Sequence, residues 1–226
     1  MGARIRPIAQ VVNVEMIDEV LRAEALATKG FMPPDEGDAL YAAACSACKI
    51  LPQLPIVEVG TYCGRSTVWL GAAARKYNTI VFSVDHHFGS EENQKGWEWF
   101  DESLIDPATN RLNTLPSLLA TLHRANICDV VVPVVGESKV VSAQWSEKLA
   151  MCFIDGGHGD EPARNDYLGW SPKIALQGFL AIHDVFTDPK DGGQAPYKYI
   201  YCAAIDSGEF IEVDMTGSLR ILQRIK

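Results

Sequence analysis

Two polar clusters in the second half of the chain contain the residues best suited to chemistry. Asp155 and His158 follow the apolar run 149–154, and His183-Asp184 follows a second apolar run that ends at residue 182. Such runs are typical of buried strands, so both clusters are predicted at strand ends. Two carboxylates at neighbouring strand ends form a hard oxygen site that suits Mg²⁺ better than Zn²⁺. The alternative is that the aspartates cap strand ends and the histidine is a hydrogen-bonded core side chain.

A glycine turn marks a third position where a ligand can bind. Apolar residues 56–59 lead into Gly60, Gly64 follows, and a helical pattern begins near Ser66. Gly60 allows a sharp bend and a close approach of backbone to ligand, and the free N–H groups of the turn face the strand's carboxyl end. The spacing differs from the dinucleotide fingerprint G-x-G-x-x-G, and no P-loop Gly-Lys-Ser/Thr is present. The turn therefore favours a cofactor without a pyrophosphate.

The next predicted strand, 79–85, ends in an acid. Asp85 lies about 20 residues after the glycine turn, where dinucleotide-type folds hold a ribose. The alternative is a turn or helix-capping aspartate. A Gly-x-Ser turn, 136–138, follows another predicted strand.

These residues need elements that bring them together. The sequence predicts two N-terminal helices, 14–28 and 35–51, five strands that alternate with helices, and a final hairpin. This pattern indicates an α/β fold with a parallel sheet and an antiparallel edge. All the polar clusters then fall at the carboxyl edge of the sheet, where ligands bind in open α/β folds. The N-terminal helices either belong to the core or cover the ligand, with Phe31 and Met32 between them.

Residues 86–110 interrupt the regular pattern. They include two glycines and several aromatic residues, among them Trp97, Trp99 and Phe100. Long irregular loops in compact domains are often functional. We expect this loop to form part of the acceptor pocket; the alternative is a surface excursion held by its own aromatic cluster.

Composition limits the class of partner. The 226 residues carry a net charge of -9 and are 47% hydrophobic. An acidic chain argues against a nucleic-acid partner, which requires a basic face. No apolar run approaches the ~20 residues that span a bilayer, and the first ten residues do not resemble a secretion signal. The six cysteines are therefore expected to be reduced thiols, and the expected location is cytoplasmic.

The stretch 58–66, Glu-Val-Gly-Thr-Tyr-Cys-Gly-Arg-Ser, resembles the first motif of class I S-adenosylmethionine-dependent methyltransferases. It is similar to the E-[LVI]-G-x-Y-x-G-x-S form found in metal-dependent catechol and sugar O-methyltransferases, and the similarity extends from about Phe31 to the C-terminus. The resemblance implies a Rossmann-like class I methyltransferase fold with a mostly parallel seven-stranded sheet. It also implies one domain over 1–226, with 1–52 as N-terminal helices or lid and 53–226 as the α/β core.

The resemblance also implies cofactor contacts. Asp85 would hold the ribose of S-adenosylmethionine, residues 136–138 would flank the adenine, and the turn 60–64 would carry the methionine part. The implied cofactor-binding residues are Glu58, Gly60, Tyr62, Gly64, Ser66, Asp85, Gly136, Glu137, Ser138 and Asp155.

The acidic clusters resemble those of macrocin-type sugar O-methyltransferases. That resemblance implies Mg²⁺ ligands at Asp155 and Asp184, with His183 or a nearby acid completing the set. Catechol-type enzymes have Asp-Asn where this chain has His183-Asp184. This difference favours a resemblance to the sugar enzymes over a resemblance to the catechol enzymes.

The predicted reaction is methyl transfer to a sugar hydroxyl, with His158 as the general base and His86 or His87 as second choices. Within this class the chain is similar to mycobacterial enzymes that methylate the 1-hydroxyl of 3-O-methylmannosides, and a homodimer is expected. Three rivals remain: a catechol or small-phenol O-methyltransferase, an inactive cofactor-binding module, and an NAD dehydrogenase, which the glycine spacing disfavours.

Overall fold

The computed structural model describes residues 16–226, and its centre is a seven-stranded sheet. Its strands are β1 (Ile56–Val59), β2 (Val81–Asp85), β5 (Val131–Val135), β6 (Leu149–Ile154), β7 (Ile174–Ile182), β8 (Phe210–Thr216) and β9 (Leu219–Arg224). They lie in the order β5-β2-β1-β6-β7-β9-β8. The first five strands in the order are parallel, and β9 pairs antiparallel with both β7 and β8. The predicted α/β fold, with a mostly parallel seven-stranded sheet and an antiparallel C-terminal hairpin, is therefore confirmed.

The middle of the sheet is buried on both faces. Every residue of β1 and of β6 is buried. A parallel strand covered by helices on both sides reads as a continuous apolar run, which is why these strands could be identified from sequence. In the register of these two strands Val59 lies opposite Ile154, so the residues that follow, Gly60 and Asp155, emerge together.

Seven α-helices cover this sheet within the described residues. They are α1 (Glu19–Ala27), α2 (Pro34–Ile50), α3 (Arg65–Tyr77), α4 (Leu115–Arg124), α5 (Ser138–Gln144), α6 (Asp160–Trp170) and α7 (Cys202–Asp206). Helix α2 packs against α3, where Gly37 lies against the ring of Trp69, a residue with no exposed surface. The N-terminal helices thus contribute to the core, as one of the two sequence interpretations expects.

Several element boundaries differ from the sequence predictions. The first described helix begins after Asp18, whose carboxylate accepts hydrogen bonds from two backbone N–H groups; position 14 lies outside the described residues. Strand β7 begins at Ile174 rather than at Gly178, because Gln177 and Gly178 interrupt the apolar run in the sequence. Helix α5 was not predicted, since it is short and buries a single residue, Ser142.

The irregular segment is partly ordered into short elements. It contains two 3₁₀ turns, Glu91–Asn93 and Glu102–Leu104, and a two-stranded ladder formed by β3 (Ile105–Asp106) and β4 (Arg111–Leu112). No helix among residues 16–226 has the length and apolar character needed to cross a bilayer.

Replacing Gly60 should test the close approach of β1 and β6. Its φ of 84° is left-handed, and a Cβ at this position would overlap the carbonyl oxygen of Asp155. Gly60→Ala should therefore cost about 1–2 kcal/mol for the backbone conformation and about 1–3 kcal/mol more for the overlap. Urea unfolding measures the loss.

Gly96→Ala is the matched control, because Gly96 has a φ of 97° and nothing within 4 Å of an added Cβ. This variant should lose only the free energy of unfolding that the left-handed backbone conformation costs, about 1–2 kcal/mol. Equal losses in the two variants would contradict the close approach of the strand ends.

Candidate cofactor and metal site

A cavity of about 850 Å³ opens at the carboxyl edge of the parallel strands. Its wall includes the residues that follow β1, β2, β5, β6 and β7, together with parts of the loop 86–110 and the segment before α2. The lining includes Lys29, Gly30, Phe31, Met32, Gly60, Thr61, Tyr62, Ser66, Asp85, His86, Glu91, Glu92, Trp99, Gly136, Glu137, Ser138, Asp155, His158, Asp166, Asp184 and Phe186. The fold therefore brings the predicted polar strand ends to one cavity.

Glu58 holds the glycine turn from behind. Its fully buried carboxylate accepts hydrogen bonds from the hydroxyls of Ser66 and Thr67, both at 2.7 Å, and of Ser83 at 2.6 Å. Burial raises the pKa of Glu58 to about 7 despite these hydrogen bonds. The carboxylate therefore fixes the start of α3 against β1 and β2 and does not itself line the cavity.

Asp85 closes the turn from the neighbouring strand. One oxygen accepts hydrogen bonds from the backbone N–H groups of Thr61 and Tyr62, each at 2.9 Å, and the other accepts from the N–H of His87 at 2.7 Å. A carboxylate oxygen accepts more than one hydrogen bond, so Asp85 keeps acceptor capacity toward the cavity that it lines.

A second buried acid lies on the side of residues 136–138. The hydroxyl of Ser138 donates to Asp166 at 2.5 Å and accepts from the indole N–H of Trp170 at 2.8 Å. Burial raises the pKa of Asp166 to about 6, although the Ser138 hydrogen bond opposes the shift. No sequence pattern indicates Asp166, because an acid within a helix of ordinary polarity gives no signal that it is buried.

Three side chains at the other end of the cavity form a cluster that could hold a metal ion. Ligand atoms of Asp155, His158 and Asp184 all lie within 4.8 Å of one another. Burial raises the pKa of Asp155, whereas the hydrogen bonds from His158 and His183 outweigh burial and lower the pKa of Asp184. The two carboxylates at this spacing fit a divalent cation, and the imidazole lies beside them.

His158 is held from both sides by carboxylates. Its Nε2 lies 2.9 Å from Asp184 Oδ2, and its Nδ1 lies 2.9 Å from Glu92 Oε2. Burial opposes a charged ring, but the two carboxylates outweigh it and raise the pKa of His158 to about 9. Glu92 comes from the irregular loop, and nothing in its local sequence indicated this contact.

His183 lies behind the cluster rather than in the cavity. Its Nε2 is 2.7 Å from Glu36 Oε2, and its Nδ1 is 2.9 Å from Asp155 Oδ1. Both ring nitrogens thus bond to carboxylates, and the side chain is 3% exposed. His183 therefore does not face the cavity, and the imidazole that lies beside the two aspartates at the cavity is that of His158.

The mouth of the cavity joins two distant segments. Phe31 packs edge-on against Trp99, with ring centroids 4.9 Å apart, and lies 5.4 Å from Tyr62. Lys29 pairs with Asp101 of the same loop. The aromatic contacts of the irregular loop therefore extend beyond its own cluster to the segment before α2.

The family follows from a comparison of the sequence with known families. Residues 57–185, more than half of the chain, match the family described as a methyltransferase domain. The chain belongs to this methyltransferase family. The matched range runs from β1 to just after the His183-Asp184 cluster, so it contains the glycine turn and the acidic cluster alike.

Solved structures of methyltransferases share the fold at low sequence identity. The Podospora anserina methyltransferase PaMTH1, bound to SAH, superposes with a TM-score of 0.66 at 14% identity, over 95% of this chain and 91% of that one. The O-methyltransferase NovP superposes with a TM-score of 0.62 at 17% identity, over 84% of this chain and 79% of that one. TomG, an O-methyltransferase from Streptomyces achromogenes in complex with SAM, superposes with a TM-score of 0.60 at 15% identity, over 95% of this chain and 92% of that one.

The predicted site residues of this methyltransferase fall into two groups. The first group lines the cavity: Gly60, Tyr62, Ser66, Asp85, Gly136, Glu137, Ser138, Asp155, His158 and Asp184. The second group, Glu58, Gly64 and His183, lies behind it. Residues of the second group do not line the cavity, so they can influence a ligand there only by positioning residues that do.

Replacing Asp166 tests the cost of its burial. Because the pKa of Asp166 is raised from 3.8 to about 6, the folded protein binds this proton more tightly than the unfolded chain does. The ionised carboxyl therefore opposes folding above pH ~6, and the cost fades as the pH falls toward 4. Asp166→Asn keeps the hydrogen bond from Ser138 and should raise the free energy of unfolding at pH 7.5 by about 2–3 kcal/mol.

Urea unfolding at pH 4.5 and 7.5 measures this difference, which should shrink at the lower pH. Asp160→Asn, at the exposed start of the same helix, is the control and should not stabilise the protein. An unchanged free energy of unfolding for Asp166→Asn at pH 7.5 would contradict a pKa of Asp166 raised by burial.

Proposed function

We propose that this protein is an S-adenosylmethionine- and Mg²⁺-dependent O-methyltransferase that acts on a hydroxyl of a sugar or related polyol. The observation that carries the proposal is the grouping of Asp155, His158 and Asp184 within 4.8 Å at the edge of the cavity that also contains the glycine turn. A protein that merely binds a cofactor needs no such cluster.

The residues at one end of the cavity fit the cofactor. Asp85 has acceptor capacity for ribose hydroxyls, residues 136–138 line the same cavity and are proposed to flank the adenine, and the backbone at Gly60 is free of side-chain bulk. S-adenosylmethionine, when bound, supplies an activated methyl group on its sulfonium. The protein then has to hold the acceptor oxygen in line with that methyl group.

The residues at the other end fit a divalent cation. Asp155 and Asp184 provide hard oxygen ligands at the wall of the cavity, and the remaining positions around the ion stay open to water or to the acceptor hydroxyl. Mg²⁺, when bound there, lowers the pKa of a coordinated hydroxyl and fixes its direction.

His158 is placed to accept the proton of the acceptor hydroxyl. Glu92 accepts a hydrogen bond from Nδ1, which leaves Nε2 directed at the acidic cluster. A divalent cation held by Asp155 and Asp184 would offset their negative charge beside the ring, which would favour the neutral imidazole. A neutral imidazole can then act as a general base.

The acceptor pocket is proposed between the acidic cluster and the aromatic mouth. Glu91 and His86 offer polar groups there, and Phe31 and Trp99 offer ring surface, a combination suited to a saccharide. The resemblance of the sequence to mycobacterial mannoside methyltransferases supports the 1-hydroxyl of a 3-O-methylmannoside as the specific acceptor. The aromatic wall also favours a second candidate, a catechol or other small phenol.

The proposal also concerns the organisation of the chain. We propose that 53–226 forms the catalytic core and that residues 29–32 help to cover the cavity, which Lys29 and Phe31 line. The homodimer and the cytoplasmic location stay predictions.

An acceptor panel tests the proposed substrate class. The protein should methylate 3-O-methylmannosides or related sugars with added Mg²⁺, should lose activity in EDTA, and should recover it when Mg²⁺ is restored in excess. Mass spectrometry of the products identifies the methylated position. Activity toward catechol but not toward sugars would contradict the sugar acceptor and favour the small-phenol alternative. Full activity in EDTA would contradict the proposed dependence on Mg²⁺.

His158→Ala tests the proposed base. Loss of a general base should lower kcat by about 10²–10⁴, whereas calorimetry should show nearly unchanged binding of S-adenosylhomocysteine. His123→Ala, an exposed position on α4, is the control and should keep both properties. Lost cofactor binding with normal turnover per bound enzyme would contradict the assignment.

A further inference from the structure

A buried acid from the N-terminal part of the chain reaches the rear of the acidic cluster. Glu36 lies in the first turn of α2 and is 4% exposed. Its Oε1 accepts the backbone N–H of Ser218 at 2.7 Å, and its Oε2 accepts the Ser218 hydroxyl at 3.2 Å. The same Oε2 lies 2.7 Å from Nε2 of His183.

The contact continues through the imidazole to the cavity. Nδ1 of His183 lies 2.9 Å from Asp155 Oδ1 and 3.2 Å from Asp184 Oδ2. The ring of Phe153 packs edge-on against this imidazole, with centroids 6.5 Å apart. One imidazole, fixed at its far side by Glu36, thus holds one oxygen of each acid that faces the cavity.

We propose that Glu36 is a positioning residue for the cation site, acting through His183 on Asp155 and Asp184. The inference rests on the proposed function in assuming that these acids bind Mg²⁺. Hydrogen-bond partners behind metal-ligating groups orient the ligands, and their loss typically weakens metal binding 10–100-fold. Glu36 sets the position of the imidazole, and the imidazole sets the direction of the two carboxylates.

The packing around Glu36 leaves little freedom for another arrangement. A Cβ at Gly217 would overlap Glu36 Oε1, so the turn between β8 and β9 closes directly over the carboxylate. The turn and α2 therefore fix Glu36 from two sides. A purely structural link between these two elements would need only the Ser218 contacts, and the bond to His183 is the part that a positioning role requires.

Glu36→Gln in the full-length protein tests the proposal, because it keeps the size of the side chain and removes one of the two acceptors. Calorimetric titration with Mg²⁺ alone should give an affinity 10–100-fold weaker than that of the wild type. S-adenosylhomocysteine affinity should stay within twofold. In assays, the Mg²⁺ concentration for half-maximal activity should rise, and kcat at saturating Mg²⁺ should recover most of its value.

Asp38→Asn is the matched control on the same helix. The Asp38 carboxylate accepts hydrogen bonds from Arg22 and from the indole of Trp69 and does not contact the cluster. It should lower Tm and leave Mg²⁺ affinity unchanged. If Glu36→Gln does not fold, Glu36→Asp replaces it: one methylene shorter, it cannot span from Ser218 to His183 and should weaken Mg²⁺ binding in the same direction.

The outcomes separate this inference from the function on which it rests. Mg²⁺ affinity within twofold of the wild type in Glu36→Gln would overturn the positioning role while leaving the proposed function intact. Equal weakening in Glu36→Gln and Asp38→Asn would assign the effect to a loosened α2 and also overturn it. A wild-type protein that binds no Mg²⁺ would overturn both.

Discussion

The close contact between the ends of β1 and β6 is the constraint on which the site depends. The backbone N–H of Asp155 donates to the carbonyl of Val59 at 2.8 Å, and Gly60 places no side chain between the ends of the two strands. Because the strands are parallel and in register, the glycine turn and the first acid of the proposed cation site leave the sheet side by side. A methyl donor and an acceptor bound to a metal can meet only if these two ends are adjacent.

Closely spaced charge is the second feature that shapes the cavity. Four carboxylates, from Glu36, Glu92, Asp155 and Asp184, surround two imidazoles. Charges removed from water are costly unless they are paired, so each carboxylate needs a nearby positive or hydrogen-bonding group. His183 compensates the carboxylates at the rear of the cluster. His158 compensates those that face the cavity, where the proposed divalent cation would add further positive charge.

The sequence predicts the sheet and its polar edge well, because buried parallel strands appear as continuous apolar runs followed by polar residues. It predicts the residues around them less well. Glu36 contacts His183, 147 residues away in sequence, and Glu92 contacts His158, 66 residues away. The sequence around neither glutamate differs from that around an exposed glutamate. His183 was placed at the correct strand end, but the direction of its ring depends on Glu36, which no local pattern reveals. Asp166 was missed for the same reason.

A crystal structure of the protein grown with S-adenosylhomocysteine and Mg²⁺ tests the central claim most directly. The account predicts one ion with oxygen ligands from both Asp155 and Asp184 at about 2.0–2.1 Å, and the sulfur of the nucleoside over the turn at Gly60. An ion bound elsewhere, a nucleoside at another edge of the sheet, or carboxylates too far apart to share one ion would contradict it.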